Sequence, residues 1–174
     1  MIARLLEKAI IQDLFKGKSI ILYGARQVGK TTLVQNILKN FGKDGRYLNC
    51  EILSVEQSLK EPEPEKLKAF LGNYKIIVLD EAQNIPNTGK ILKIITDTLK
   101  DVQIIATGSS SFDLANKTAE PMTGRVIHYT LYPLSVLEIK ANEDWLSVDS
   151  KLERLLRFGF YPEVYTSNDE DAIN

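Results

Sequence analysis

The sequence predicts an α/β domain built on a parallel sheet with helices packed on it. Three observations carry this reading. Short runs of consecutive apolar residues, the mark of strands buried on both faces, recur along the chain. Amphipathic stretches of helical period alternate with them. A glycine-containing turn joins the first such strand to the helix that follows it.

The elements follow in order. Leu5, Leu6, Ala9, Ile10, Leu14 and Phe15 recur at helical spacing, which predicts an amphipathic helix over residues 3–15 that ends at Gly17. Ser19 to Tyr23 reads as a buried strand. Leu33, Val34, Ile37, Leu38 and Phe41 give a second helical stripe, closed by Gly42. Arg46 to Asn49 is a second strand. Residues 54–75 are charge-rich, and Pro64 fits the first turn of a short helix ending near Gly72. Lys75 to Asp80 is the clearest buried strand, and Ile91, Leu92, Ile95 and Leu99 mark the helix after it. Val102 to Thr107 is a fourth strand, and Arg125 to Leu131 a fifth, bounded by Pro133. Ser150-Lys151-Leu152-Glu153 has the form of a capping box and predicts a helix running from there through Phe158.

The 174 residues allow one domain with a short appendage, and 44% hydrophobic residues with 26% charged exclude disorder and a disulfide scaffold. Twenty-two Lys and Arg against 23 Asp and Glu leave a net charge of −1, so no bulk basic field holds nucleic acid or an anionic membrane, although a small local patch is compatible with that sum. The single cysteine, Cys50, cannot form an internal disulfide, which points to a reducing, cytoplasmic setting. No apolar run approaches the ~20 residues that span a bilayer, and residues 1–13 lack the pattern of a signal peptide. His128 in an alternating strand, Cys50 at a strand end and Trp145 read as packing residues.

Gly24-Ala25-Arg26-Gln27-Val28-Gly29-Lys30-Thr31 fits G-x-x-x-x-G-K-[ST] between a predicted strand and a predicted helix, the context of a phosphate-binding loop. Gly24 and Gly29 let the backbone bend so that N–H groups from Gln27 and Val28 through Thr32 converge on phosphate oxygens, at the positive end of a helix. Lys30 would bridge β- and γ-phosphates, the Thr31 hydroxyl would ligate Mg²⁺, and Thr32 could reach the α-phosphate. Ile76-Ile77-Val78-Leu79-Asp80-Glu81, four apolar residues before two carboxylates, reads as the matching metal strand. Asp80 would hold hydrated Mg²⁺ and Glu81 would polarise the attacking water. After the fourth strand, Thr107-Gly108-Ser109-Ser110-Ser111 offers a hydroxyl for the γ-phosphate, Ser109 first; it equally suits an N-cap for a helix through Phe112 and Leu114. Arg125 reads either as a sensor or finger toward a nucleotide, its own or a neighbour's, or as a surface ion pair. Arg26 is open in the same way.

The segments GARQVGKTT, IIVLDEAQNIPN, TGSSSFDL, MTGRVIHYTLYPLSVLE and RFGFYPEV, in that order, resemble the AAA-type P-loop ATPases of the DEAQ-bearing bacterial and archaeal group. The resemblance covers roughly residues 15–165. It implies a three-layer α/β/α sandwich with a five-stranded sheet ordered 5-1-4-3-2, ATP and Mg²⁺ as ligands, and Ser109 at the γ-phosphate. It also implies an ATPase domain over residues 1–145, and over 146–174 the start of a helical lid or linker to a C-terminal effector domain. Self-association is a further expectation.

Three rivals remain. A GTPase would need Gly where Gln83 stands and Asp where Ala119 stands. A helicase with Asp80-Glu81-Ala82-Gln83 as its motor motif would need two such domains. A nucleotide-gated switch with little turnover fits the same residues as an ATPase does.

Overall fold

The computed structural model describes residues 2–109, 122–141, 143 and 145–167. The expected N-cap role of Ser110 and Ser111 lies outside the described residues. Strands β1 (Ser19–Tyr23), β2 (Gly45–Asn49), β3 (Ile76–Asp80), β4 (Gln103–Gly108) and β5 (Val126–Thr130) form one sheet. Its order is β2-β3-β4-β1-β5, the expected order read from the other edge, and every neighbouring pair is parallel. The helices are α1 (Leu5–Gln12), α2 (Lys30–Lys39), α3 (Leu53–Leu59), α4 (Pro64–Leu71), α5 (Thr88–Thr98), α6 (Val136–Lys140), α7 (Trp145–Phe158) and α8 (Pro162–Thr166).

The apolar runs are explained by position. All residues of β1, β3 and β4 are buried, because these central strands carry helices on both faces. The outer strands β2 and β5 are only partly buried and read correspondingly weaker. Alternation of side chains divides the core in two. Ile21, Ile77, Leu79 and Ile104 face the helices α3, α4 and α5 through Leu59, Leu67, Leu71, Ile91, Leu92 and Ile95. Ile20, Leu22, Ile76, Val78 and Ile105 face α1 and α2 through Ile10, Leu33, Val34 and Ile37. A third, smaller cluster of Leu134, Ile139, Val148, Leu155 and Val164 joins α6, α7 and α8, with Ile2 against it.

Two boundaries differ from the sequence reading. Helix α7 starts at Trp145, so Ser150 is interior and its hydroxyl donates to the Ser147 carbonyl at 2.8 Å instead of capping. The capping box that does form is Ser135 with Glu138, which starts α6: Glu138 N–H donates to Ser135 Oγ at 3.2 Å and Ser135 N–H to Glu138 Oε2 at 2.8 Å. Helix α3 was not anticipated in the charge-rich stretch. Among the described residues no helix is long and apolar enough to cross a membrane.

Because all strands run the same way, the segments following β1, β3 and β4 leave the sheet at one edge. Gly24 to Lys30, Asp80 with Glu81, and Thr107 to Ser109 therefore meet there.

Candidate nucleotide-binding site

The turn from β1 to α2 is built around two glycines. A Cβ at Gly24 would stand 2.5 Å from the Leu131 carbonyl oxygen, so no larger residue fits. Gly29 caps α2 at φ 95°, in the left-handed region where a glycine is at ease. Gln27 also has a positive φ, 63°, which bends the loop back over the helix start. Lys30 is 5% exposed and its ammonium donates to the carbonyls of Gly24 at 3.0 Å and Ala25 at 2.9 Å. Burial lowers its pKa below the ordinary lysine value, against the opposing pull of Glu81 and Asp80.

Asp80 is the hub on the next strand but one. Thr31 Oγ1 donates to its Oδ2 at 2.7 Å, and Tyr47 OH, reaching across from β2, donates to the same oxygen at 2.5 Å. Thr107 Oγ1 donates to Oδ1 and also accepts the Glu81 N–H at 3.1 Å. Three hydroxyls from three elements thus fix one carboxylate. Burial, then Asp80, pushes the Tyr47 hydroxyl's pKa well up, so it remains a donor.

Glu81 leaves β3 with φ 53°, left-handed for a non-glycine residue, which turns its side chain away from the strand direction. Gln83, in a 3₁₀ turn over Ala82–Asn84, donates through Nε2 to Glu81 Oε2 at 2.6 Å and to Ser109 Oγ at 3.3 Å. The structure therefore brings together Lys30, Thr31, Asp80, Glu81 and Ser109. A cleft of about 630 Å³ opens over Lys30, Thr31 and Glu81, lined also by Gln27, Thr32, Glu51, Pro162 and Glu163. Beside it, a smaller pocket of about 180 Å³ shares Gly29, Thr32 and Pro162 and adds Ile2, Leu33 and Leu134.

A glycine-bounded loop whose Thr31 hydroxyl bonds the aspartate that ends β3, across the intervening β4, is the arrangement of a P-loop fold. The sequence profile of the AAA domain family matches residues 16–140, well over half of the chain. The chain belongs to the AAA domain family.

This AAA domain also resembles solved structures at low identity, which speaks for the fold. The Walker-type ATPase of Pyrococcus abyssi matches at TM-score 0.59 and 18% identity, covering 99% of this chain and 61% of that one. The ORC1 protein of Aeropyrum pernix, solved in complex with DNA, matches at 0.60 and 16%, covering 94% and 58%. AMPPCP-bound DnaA from Aquifex aeolicus matches at 0.55 and 19%, covering 92% and 57%. The chain thus spans about three fifths of the length of these proteins. No curated protein sequence matches it.

One expected site residue lies elsewhere in the AAA domain. Arg125 precedes β5, and its carbonyl accepts from the N–H of Ser19 at the start of β1. It sits at the N-terminal edge of the strands, one strand length of roughly 17 Å from the cleft. Its guanidinium instead meets Asp97 at 2.7 Å. Arg26 lines the cleft.

Sequence reasoning missed the brace behind the loop. Arg4, ahead of α1, donates to Val28 O in the loop at 2.7 Å, to Tyr132 O at 2.6 Å and to Glu138 Oε1 at 2.9 Å. Glu138 Oε1 also accepts the Leu5 N–H at 3.0 Å. Burial tends to raise the Glu138 pKa, but the bonds from Ser135, Arg4 and Leu5 hold it below its ordinary value of 4.5. The only signal in the sequence was Ser135-x-x-Glu138, which carried no hint of a partner 134 residues away. Gln83 and Tyr47 were likewise unassigned.

Proposed function

We propose that this AAA domain binds ATP with Mg²⁺ and hydrolyses it, with water as the nucleophile. The observation that carries the reading is the 2.7 Å bond from Thr31 to Asp80, which ties the phosphate loop to the carboxylate strand. A plain strand-to-helix turn has no use for a buried aspartate at its first threonine. In this reading the N–H groups from Gln27 to Thr32 hold the phosphates, and Lys30 moves from the Gly24 and Ala25 carbonyls to the β,γ-bridge. The base enters the smaller apolar pocket beside Gly29 and Pro162.

Thr31 and Asp80 would hold Mg²⁺. Both offer hard oxygens, and among the described residues no cluster of three or more His, Cys, Asp or Glu forms a protein cage. That suits an ion bound by few side chains together with phosphate and water. When bound, Mg²⁺ neutralises charge on the β,γ-oxygens. Glu81 orients the water and accepts its proton, while Ser109 hydrogen-bonds the γ-phosphate or that water. Arg125 acts on the nucleotide of a neighbouring copy, released from a half-exposed pair with Asp97 of the kind that contributes little. The finer family reading is the DEAQ-bearing group, in a reducing cytoplasm. Residues 146–174 are then a lid leading to an effector domain whose conformation the hydrolysis cycle drives.

A nucleotide-gated switch with little turnover of its own is favoured by one contact, the 2.6 Å bond by which Gln83 holds the Glu81 carboxylate. Fluorescent-ATP titration and phosphate release distinguish the two. Lys30→Ala is expected to lose binding, and Glu81→Gln to bind normally while turnover falls ~10²-fold or more. Wild-type turnover in Glu81→Gln would remove Glu81 as the base, and tight binding without phosphate release in the wild type would favour the switch.

A further inference from the structure

A second cleft, of about 490 Å³, opens at the opposite edge of the sheet, where the strands begin. Phe15, Lys16, Lys18, Lys100 and Arg125 line it, with Asp97 as the acidic member. Lys16 is paired with Asp13 at 2.7 Å and Arg125 with Asp97 at 2.7 Å. Lys18 and Lys100 make no ion pair among the described residues. In a chain of net charge −1, this is a local excess of positive charge gathered around a concavity.

The cleft is also built. The side chain of Gln103, 3% exposed, accepts the Phe15 N–H at 2.6 Å and donates to Lys18 O at 3.0 Å and Ile104 O at 2.8 Å. These bonds pin the loop that presents Lys16 and Lys18. They also hold Phe15 at φ 61°, a conformation unfavourable for a bulky residue, with the residue 51% exposed. The ring leans on Phe41 at 5.8 Å, which steadies it. Backbone strain and an exposed aromatic residue each raise the free energy of the folded chain. Strain retained by a dedicated buried amide is the signature of a functional position.

We propose that this cleft binds single-stranded nucleic acid, with Lys18, Lys100 and Lys16 along the phosphates and a base stacked on Phe15. Cations alone would suit any polyanion. A steadied, outward ring beside them favours a ligand that alternates charge with flat aromatic faces. β4 runs from Gln103 beneath this cleft to Thr107 and Ser109 beside the nucleotide site, so one strand touches both.

Fluorescence anisotropy with a labelled 15-nucleotide oligo-dT, without nucleotide, tests this on the whole chain. The expected slope of log K against log salt lies between about −1.4 and −2.1, for two or three phosphates neutralised. Lys18→Glu with Lys100→Glu should weaken binding at least tenfold. Phe15→Gly relaxes the left-handed backbone, so the fold survives; affinity should drop about 5- to 150-fold with the salt slope unchanged. Lys30→Ala should bind the oligonucleotide as wild type does, which separates this site from the ATP reading. The proposal is overturned if the double lysine variant binds undiminished, if Lys30→Ala abolishes binding, or if poly-glutamate binds more tightly than oligo-dT and identifies the ligand as an acidic protein.

Discussion

Replacing Arg4 by alanine removes one guanidinium from three acceptors at once: Glu138, Val28 and Tyr132. The side chains of Arg4 and Glu138 are 8% and 6% exposed, so water cannot replace what is lost. Breaking one side of such a buried pair costs about 3–5 kcal/mol, because the remaining carboxylate stays desolvated. For a chain of this size that corresponds to a fall in Tm of about 6–20 °C. Glu138 retains the Leu5 and Ser135 N–H groups, which places the expected loss toward the lower end of that range. A second effect falls on function. Val28 O loses a charge-assisted bond worth about 1.5–3 kcal/mol, and ATP affinity should fall by about 10- to 150-fold even where the variant is fully folded. Urea unfolding gives the first quantity and fluorescent-ATP titration at 15 °C the second. Arg4→Lys, which keeps the charge but not the fork, should lie between wild type and alanine. Arg4→Ala with an unchanged midpoint and unchanged ATP affinity would refute the view that this contact braces the phosphate loop.

Other expectations follow from the same geometry. Gly24→Ala forces a Cβ against the Leu131 carbonyl oxygen and should destabilise by about 1–3 kcal/mol in urea unfolding, with nucleotide binding reduced. Thr107→Val leaves the Glu81 N–H without its acceptor and one Asp80 oxygen without a donor, so a loss of about 1–3 kcal/mol is expected, with a raised Mg²⁺ requirement for turnover. Glu138 has a folded pKa below 4.5, so its contribution is complete above that pH and is lost as pH falls through the folded value. The acid limb of wild-type stability should therefore be steeper than that of Glu138→Gln. Cys50 is fully buried, and burial, then the charges of Asp80 and Glu81, pushes its pKa to about 12. Iodoacetamide at pH 8 should leave it unmodified until the chain unfolds, and faster labelling in the folded state would contradict the packing around Asp80.

The sheet was legible because its three central strands are buried on both faces, which leaves uninterrupted apolar runs such as Ile76 to Leu79. The phosphate loop was legible because its chemistry is local: eight consecutive residues carry it. Strand order was not, since nothing in β2 or β5 alone says which edge it occupies; it came from the resemblance. Four S-x-x-E patterns stand in the sequence, at Ser58, Ser135, Ser150 and Ser167, and local pattern alone cannot rank them. Packing decides: the α7 stripe of Val148 and Leu155 carries the helix back past Ser150, while Ser135 stands where the chain turns from an extended segment into α6. Of the two readings open for Arg125, the structure shows the surface ion pair with Asp97, because a residue ahead of a parallel strand lies at the N-terminal edge of the sheet. Gln83 was in plain view beside Glu81, but its role depends on a 3₁₀ turn that the spacing does not announce.

Gly29 has a neighbour on each side that reaches it from far along the chain. An added Cβ there would lie 3.6 Å from Arg4 Nη1 and 3.8 Å from Pro162 Cγ. The first segment of the chain and the last described helix thus share a single bearing point, the glycine that starts α2. Load applied through either segment is therefore expected to reach the phosphate loop directly. Pulled between positions 4 and 162 in an optical trap, the domain should show a first rupture whose force rises with bound nucleotide, while pulling across the sheet edges should not. The same bearing lets tension in anything joined to these segments alter how tightly the loop holds its phosphates.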